Sequence, residues 1–330
     1  MQNKVFPMSS EGNDTNLRFP DFIIAGAMKC GTTSLHNILS THPKIFIPDR
    51  EIHFFDIDDL SQHPDFFMYS NGAWYYPNLE NDFEKYLNWY GAFFSSKDGT
   101  YVIGEDSTTY LASQKAPERI RRLIPNVKII IMLRDPATRT YSHYWHLLRT
   151  GRATYSFEDS LTLMAGNLIQ RSLYKKQIQN YLNYFDRENI YFIIFEDFIQ
   201  NIQRVVDEVC KFLNVSTNSI DIRQTKTHYN PTRLPRYPNL QIFRNRIMKI
   251  STHPTYFSHL VDIPDDGEFN NKRLLRVLDK LHQKINPHNE ENPPSMNPAT
   301  RNFLNEYFFR ENYGLDNLIN RDTNSYWYFE

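Results

Sequence analysis

The chain has 330 residues, 40% of them hydrophobic, enough to bury a large core, and no apolar run approaches the roughly 20 residues that span a bilayer. With 37 Lys and Arg against 38 Asp and Glu, the net charge of −1 excludes the domain-wide basic excess of a general nucleic-acid binder. Two cysteines, Cys30 and Cys210, make no disulfide framework. Met1 to Asn16 is polar and lacks the apolar core of a secretion signal, so residues 1–18 are expected to form a flexible tail on a cytoplasmic protein. With no internal repeat and no low-complexity linker, residues 19–330 read as one domain.

In chain order, Phe22 to Gly26 is a short apolar run closed by glycine, the pattern of a buried parallel strand. Residues 27–31 make a turn. Thr32 to Ser40 reads as a helix with Leu35, Ile38 and Leu39 on one face, stopped by His42-Pro43. An insertion over residues 53–100 then breaks the pattern, and its first part, His53 to Phe94, is crowded with aromatics such as Phe54, Phe55, Trp74 and Tyr90. It reads either as a lid or acceptor wall, or as a second small hydrophobic cluster under a long loop. Further strands are expected at Tyr101 to Gly104, Val127 to Leu133 and Ile190 to Phe195. Helices are expected from Ala137 to Arg149, from Arg171 to Phe185, and through Ile202 to Leu213, whose apolar residues keep a 3.6-residue repeat. Residues 223–300 read as loops covering a nucleotide and an acceptor, and 300–330 as a C-terminal helix and tail.

Strands alternating with helices imply an α/β fold: a parallel sheet flanked by helices on both faces, of the P-loop-containing nucleotide-binding type. Ligands of such sheets bind at the carboxyl ends of the strands, where both Lys29 and Arg134 fall. Basic charge also gathers between Arg223 and Lys249, with Lys226, Arg233, Arg236, Arg244 and Arg246 and no acid among them. That run is either a solvated face or an anion contact.

The turn itself reads Gly26-Ala27-Met28-Lys29-Cys30-Gly31-Thr32-Thr33-Ser34. A strand, a glycine loop and a helix in this order present backbone N–H groups and a helix dipole to an anion. A P-loop kinase or NTPase needs GxxxxGK followed by Ser or Thr; here Thr32 stands where the lysine belongs, and Lys29 lies two residues before Gly31. A glycine turn capped by threonine is the structural alternative.

Lys29 to Leu35 after an apolar strand resembles the 5′-phosphosulfate loop of sulfotransferases that use 3′-phosphoadenosine 5′-phosphosulfate (PAPS). The likeness is to the bacterial carbohydrate-type enzymes and the heparan sulfate glucosaminyl group. Glu51-Ile52-His53-Phe54-Phe55-Asp56 is similar to the segment that carries that family's catalytic glutamate. Leu133-Arg134-Asp135-Pro136, running on to Ser142, looks like the site where an arginine and a serine hold the 3′-phosphate. His228-Tyr229-Asn230-Pro231 with Leu234-Pro235-Arg236 resembles a late loop that closes over the nucleotide. The resemblance runs from about Phe19 to Trp327, and is looser in the last third.

It implies that the backbone and hydroxyls of Lys29, Cys30, Gly31, Thr32, Thr33 and Ser34 cradle the 5′-phosphosulfate, and that Arg134 and Ser142 bind the 3′-phosphate. Lys29 would then meet charge on the leaving oxygen, and Glu51, or alternatively His53, would take the acceptor proton. Arg233 and Arg236 are further anion contacts, and Arg139 is read as a helix-surface charge. The scheme requires PAPS as donor, releases 3′-phosphoadenosine 5′-phosphate (PAP), and requires no metal. The family usually has a small residue or lysine where Asp106 stands, a departure that weighs against a heparan-like acceptor. A hydroxyl or amine of a sugar or of a small natural product is expected as acceptor, with no nucleic-acid or membrane partner. A non-catalytic nucleotide binder on the same fold is the remaining alternative.

Overall fold

The computed structural model describes residues 17–70, 72–95, 97, 99–217, 220, 233–248, 273–290 and 292–328. The late-loop motif His228 to Pro231, and Arg223, Lys226 and Lys249, lie outside the described residues, as does the segment 1–16.

In the first half the elements are β1 (Phe22–Gly26), α1 (Thr32–Leu39), β2 (Ile45–Phe46), β3 (Met68–Ser70), β4 (Ala73–Tyr75), α2 (Phe83–Ala92), β5 (Val102–Asp106), α3 (Ala116–Leu123), β6 (Lys128–Leu133) and α4 (Pro136–Arg149). Then come α5 (Phe157–Leu163), α6 (Ala165–Ile169), α7 (Tyr174–Leu182), β7 (Ile190–Ile194), α8 (Phe195–Gln200) and α9 (Ile202–Leu213). The last third holds β8 (Arg233–Pro235), α10 (Pro238–Met248), α11 (Arg273–Ile285), β9 (His288–Glu290), α12 (Pro298–Glu311) and α13 (Leu315–Ile319).

Five strands form one parallel sheet in the order β2-β5-β1-β6-β7, flanked by helices, as the alternating pattern implies. β1 is buried along its whole length, so both of its faces must be apolar, and its sequence alternates nothing. The chain fills one side of β1 first and then crosses to the other. The crossing makes β1 and β6 the switch point, where the loops that follow diverge and leave a crevice. Gly104 permits the tight β1–β5 pairing: a Cβ there would lie 2.2 Å from the Phe22 ring. Leu17 already packs on the core, and Arg18 donates to the Lys97 and Tyr101 carbonyls.

β5 runs two residues past its expected end because Glu105 and Asp106 are buried with partners. Tyr90 and Tyr110 hydroxyls and Ser107 Oγ all donate to the Glu105 carboxylate, and His36 Nδ1 lies 3.4 Å from Asp106. α7 starts at Tyr174, later than the expected Arg171, because Gln170–Ser172 forms a separate 3₁₀ turn. The aromatic insertion is not a separate cluster. Phe54, Phe55, Phe66, Tyr90 and Phe94 belong to the main core, with Phe54 stacked on Tyr90 at 4.4 Å. Arg119 of α3 clamps the insertion through Asp58, with two bonds of 2.6 and 2.9 Å. Its tip, the β3–β4 hairpin, carries Tyr69 and Trp74 into solvent. A distinct second cluster does exist, but on α4, where Tyr144, Trp145 and Leu148 pack with Phe157, Leu304 and Phe308.

Arg139 is corrected by the structure. It is fully buried, donating to Ser172 Oγ, to the Leu168 carbonyl and to Thr140 Oγ1. Arg139 lies on the face of α4 that packs inward, while Thr138, Tyr141 and Ser142 beside it are half-buried. Among the described residues no helix is long and apolar enough to cross a membrane.

Candidate active site

At the carboxyl ends of β1, β5 and β6 lies a cleft of about 1700 Å³. That is larger than the 300–1,000 Å³ of a usual single-ligand pocket, and has room for two substrates. Lys29, Gly31, Thr32, Thr33 and Ser34 line it from the β1–α1 loop and the start of α1, Glu51 and His53 from the stretch that leads into the insertion, Arg134 from the residue after β6, and Ser142 from α4. The pairing of β1 with β6 sets the first and last groups side by side, and Arg134 Nη1 reaches the Lys29 carbonyl at 3.4 Å.

The loop geometry follows from two left-handed residues, Lys29 at φ 71 and Gly31 at φ 89. A glycine loop bent in this way is the kind of concavity that binds anions. α1 has no side-chain cap, so its first N–H groups, at Thr32 and Thr33, are left for a ligand. α4 differs: Asp135 Oδ1 accepts from the Thr138 N–H, and Arg301 lies 3.0 Å from the same oxygen. Asp135 is thus engaged as a cap and ion-pair partner, which disfavours it as the Mg²⁺ acid of an NTPase.

Glu51 and His53 meet across a left-handed turn. His53 takes φ 60, and Ser107 Oγ accepts the N–H groups of both Ile52 and His53. That turn brings His53 Nε2 to 3.2 Å from Glu51 Oε2, which also accepts from the Thr108 hydroxyl and N–H at 2.9 and 3.3 Å.

Two expected contacts do not reach the cleft. The Cys30 side chain is buried 3.7 Å from the Tyr174 hydroxyl and its N–H donates to Ala27, so it faces the core. Arg236 is exposed, its guanidinium 5.2 Å from the Tyr237 ring centroid. Arg233 sits at the mouth of the cleft, paired with Glu290 at 3.1 Å.

Residues 19–251 match the family described as sulfotransferase domain. The chain belongs to the sulfotransferase family. It is 27% identical over 232 residues to heparan sulfate glucosamine 3-O-sulfotransferase 5 of Mus musculus, covering 67% of this chain and 60% of that protein. With bifunctional heparan sulfate N-deacetylase/N-sulfotransferase 3 of Mus musculus it shares 27% identity over 325 residues, 92% of this chain and 30% of that protein. The chain therefore spans less than two thirds of these relatives. Among solved structures, a sulfotransferase from Alicyclobacillus acidocaldarius superposes with a TM-score of 0.60 at 27% identity, covering 94% of this chain and 99% of that one.

The sulfotransferase cleft is electropositive although the molecule is neutral overall. Burial and the cations Arg149 and Arg134 lower the Lys29 ammonium from its ordinary pKa, which Glu51 partly offsets. His146 is pushed down to about 3 by burial, Lys29 and Arg149, and so is neutral. Glu51 moves up, because burial and then the Asp106 carboxylate disfavour its charge, while Thr108 opposes them. Its side chain keeps 36% of its surface open to the cleft, whose water moderates that rise.

Sequence reasoning missed Arg149 and Arg171, which line the same cleft. Arg149 was within reach of it: Ser142, His146 and Arg149 follow a helical spacing on α4 and face one way. Arg171 stands in the turn before α7, donating to the Gln62 carbonyl at 3.2 Å, and no local pattern marks it. His53, Asp56 and His63 also bring ligand-type atoms within 4.8 Å of one another, a grouping invisible in the sequence.

Proposed function

We propose that this sulfotransferase moves the sulfuryl group of PAPS to a hydroxyl of a sugar acceptor. PAPS supplies an activated sulfuryl group on a phosphate that departs with an added negative charge. The observation that carries the reading is one continuous cleft joining the Lys29 loop to Arg134 and Ser142. A donor phosphorylated at both ends of its ribose needs two anion sites a nucleotide's length apart, and a nucleoside triphosphate does not.

Lys29, with the free N–H groups opening α1, stabilises the charge that develops on the leaving phosphate. Arg134 holds the 3′-phosphate by charge-assisted bonds, its guanidinium braced 4.6 Å from the Phe195 ring centroid, and Ser142 adds one hydrogen bond. Glu51, with His53 beside it, takes the acceptor proton. Two curated relatives name heparan sulfate, which supports a sugar acceptor. Arg149 and Arg171 in the same cleft suit acceptor groups of negative charge, despite the near-neutral total.

The test is calorimetry with PAP, with and without Mg²⁺, followed by labelled-sulfate transfer onto a panel of oligosaccharides. Metal-independent PAP binding and a labelled sugar are expected. Binding of ATP only with Mg²⁺ would replace the reading by a kinase, and PAP binding without transfer to any acceptor would leave a nucleotide-binding protein.

A further inference from the structure

Behind Glu51 and His53 runs a chain of polar contacts that the proposed transfer does not use. The second ring nitrogen of His53, Nδ1, lies 3.0 Å from Thr109 Oγ1. Thr109 Oγ1 lies 3.2 Å from His63 Nε2, and that nitrogen lies 2.8 Å from Asp56 Oδ1. Thr109, His63 and Asp56 are all buried, Asp56 completely. The chain is held still from outside: the His63 ring lies flat on Phe66 at 4.6 Å and 6°, and the two imidazoles stand 4.5 Å apart.

The grouping of His53, Asp56 and His63 has the composition of a cation site. Thr109 speaks against one. Its hydroxyl is within hydrogen-bonding distance of both imidazoles, in the space that an ion between them would take. The three side chains close around an oxygen the protein itself supplies.

Resting on the transfer reading above, we propose that Thr109, His63 and Asp56 are positioning residues for the acceptor base. Thr109 Oγ1 accepts from His53 Nδ1–H and so selects the tautomer whose Nε2 can take up the proton that reaches Glu51 Oε2, 3.2 Å away. His63 donates from Nε2 to Asp56, and the Thr109 hydroxyl, beside the same nitrogen, donates to that carboxyl as well. The acceptor oxygen bonds to sulfur as the bond from sulfur to the 5′-phosphate oxygen breaks and PAP leaves with that electron pair, while the acceptor proton passes to the Glu51 carboxylate and is shared with His53 Nε2. The imidazolium so formed keeps its Nδ1–H on Thr109, with Asp56 and His63 beyond it. The proton leaves through the open cleft. No oxidant or second reactant is needed. Other charges face the pair from each side: Lys29 from the phosphate loop, Asp106 from β5, and Arg171 from the turn before α7.

The decisive variant is Thr109→Val, which keeps the shape and removes the hydroxyl. Turnover is expected to fall at least about tenfold, a part of the 10²–10⁴-fold that a positioned base contributes. PAP affinity and KM for the acceptor should be unchanged, and Thr109→Ser should restore most of the rate. ¹⁵N NMR of the histidines, assigned with His53→Gln, reads the tautomer without any activity: His53 should be protonated at Nδ1 in the wild type and mixed in Thr109→Val. Should no acceptor be found, this measurement still decides the proposal. It is overturned if His53 is protonated at Nε2 in the wild type, or if Thr109→Val retains both wild-type rate and tautomer. Stoichiometric Zn²⁺ binding by the wild type, lost in His63→Gln, would also overturn it in favour of a metal centre.

Discussion

A carboxylate works as a base only when ionised, so the surroundings of Glu51 set the acid side of the rate profile. Burial and Asp106 both raise it, and the acid limb of kcat should therefore lie above the ordinary glutamate value of 4.5. Asp106→Asn removes the like charge that acts most strongly on it and should move that limb to lower pH, which a pH–rate series would show. Glu51→Gln should cost about 10²–10⁴-fold in turnover with PAP affinity kept. Arg134→Ala should act in the opposite column. Losing bonds to a charged group costs about 1.5–3 kcal/mol, or roughly ten- to a hundredfold in PAP dissociation constant, and calorimetry reads it directly.

Between elements, Phe195 at the start of α8 touches both halves of the cleft. Its ring carries the Arg134 guanidinium on one side and approaches Gly31 on the other, where an added Cβ would lie 2.7 Å away. Gly31→Ala also meets a left-handed backbone, a strain of about 1–3 kcal/mol. The variant should lose thermal stability and PAP affinity together, since shifting the ring disturbs the loop and the arginine at once. A normal dissociation constant in a folded Gly31→Ala protein would show that the two cradles are independent. At this scale β1, β6 and β7 were legible, because a strand buried on both faces is a continuous apolar run. β2, with two residues, and the β3–β4 hairpin were not, because elements that short leave no periodicity. The end of β5 was hidden for another reason: Glu105 and Asp106 are charged residues that break an apolar run, and their burial depends on Tyr90, Tyr110 and His36 being brought to them.

For the whole molecule, Glu105 couples the core to pH. Burial pushes it up to about 7 against the hydrogen bonds from Tyr110, Tyr90 and Ser107. Its folded value lies above its unfolded one, so the stability it contributes is fully present below pH 4.5 and is lost as the pH rises through about 7. Asp56, pushed up to about 7 by burial, acts in the same direction. Melting temperature should fall from pH 5 to pH 8, and Glu105→Gln should flatten that slope, which thermal melts across the range would measure. Charge is also partitioned on this scale. A net of −1 concealed a cleft lined by Lys29, Arg134, Arg149 and Arg171.

The sequence by itself determined the β1–loop–α1 unit, the sheet around it and the position of Arg134, because each depends on contiguous residues and on the rule that parallel strands point their loops one way. Only the tertiary structure decided that Cys30 and Arg236 turn away, that Arg139 is buried, and that Arg171, Thr109 and His63 gather at the cleft. Those outcomes depend on which distant segments pack together, and one strand's chemistry does not encode its neighbour's.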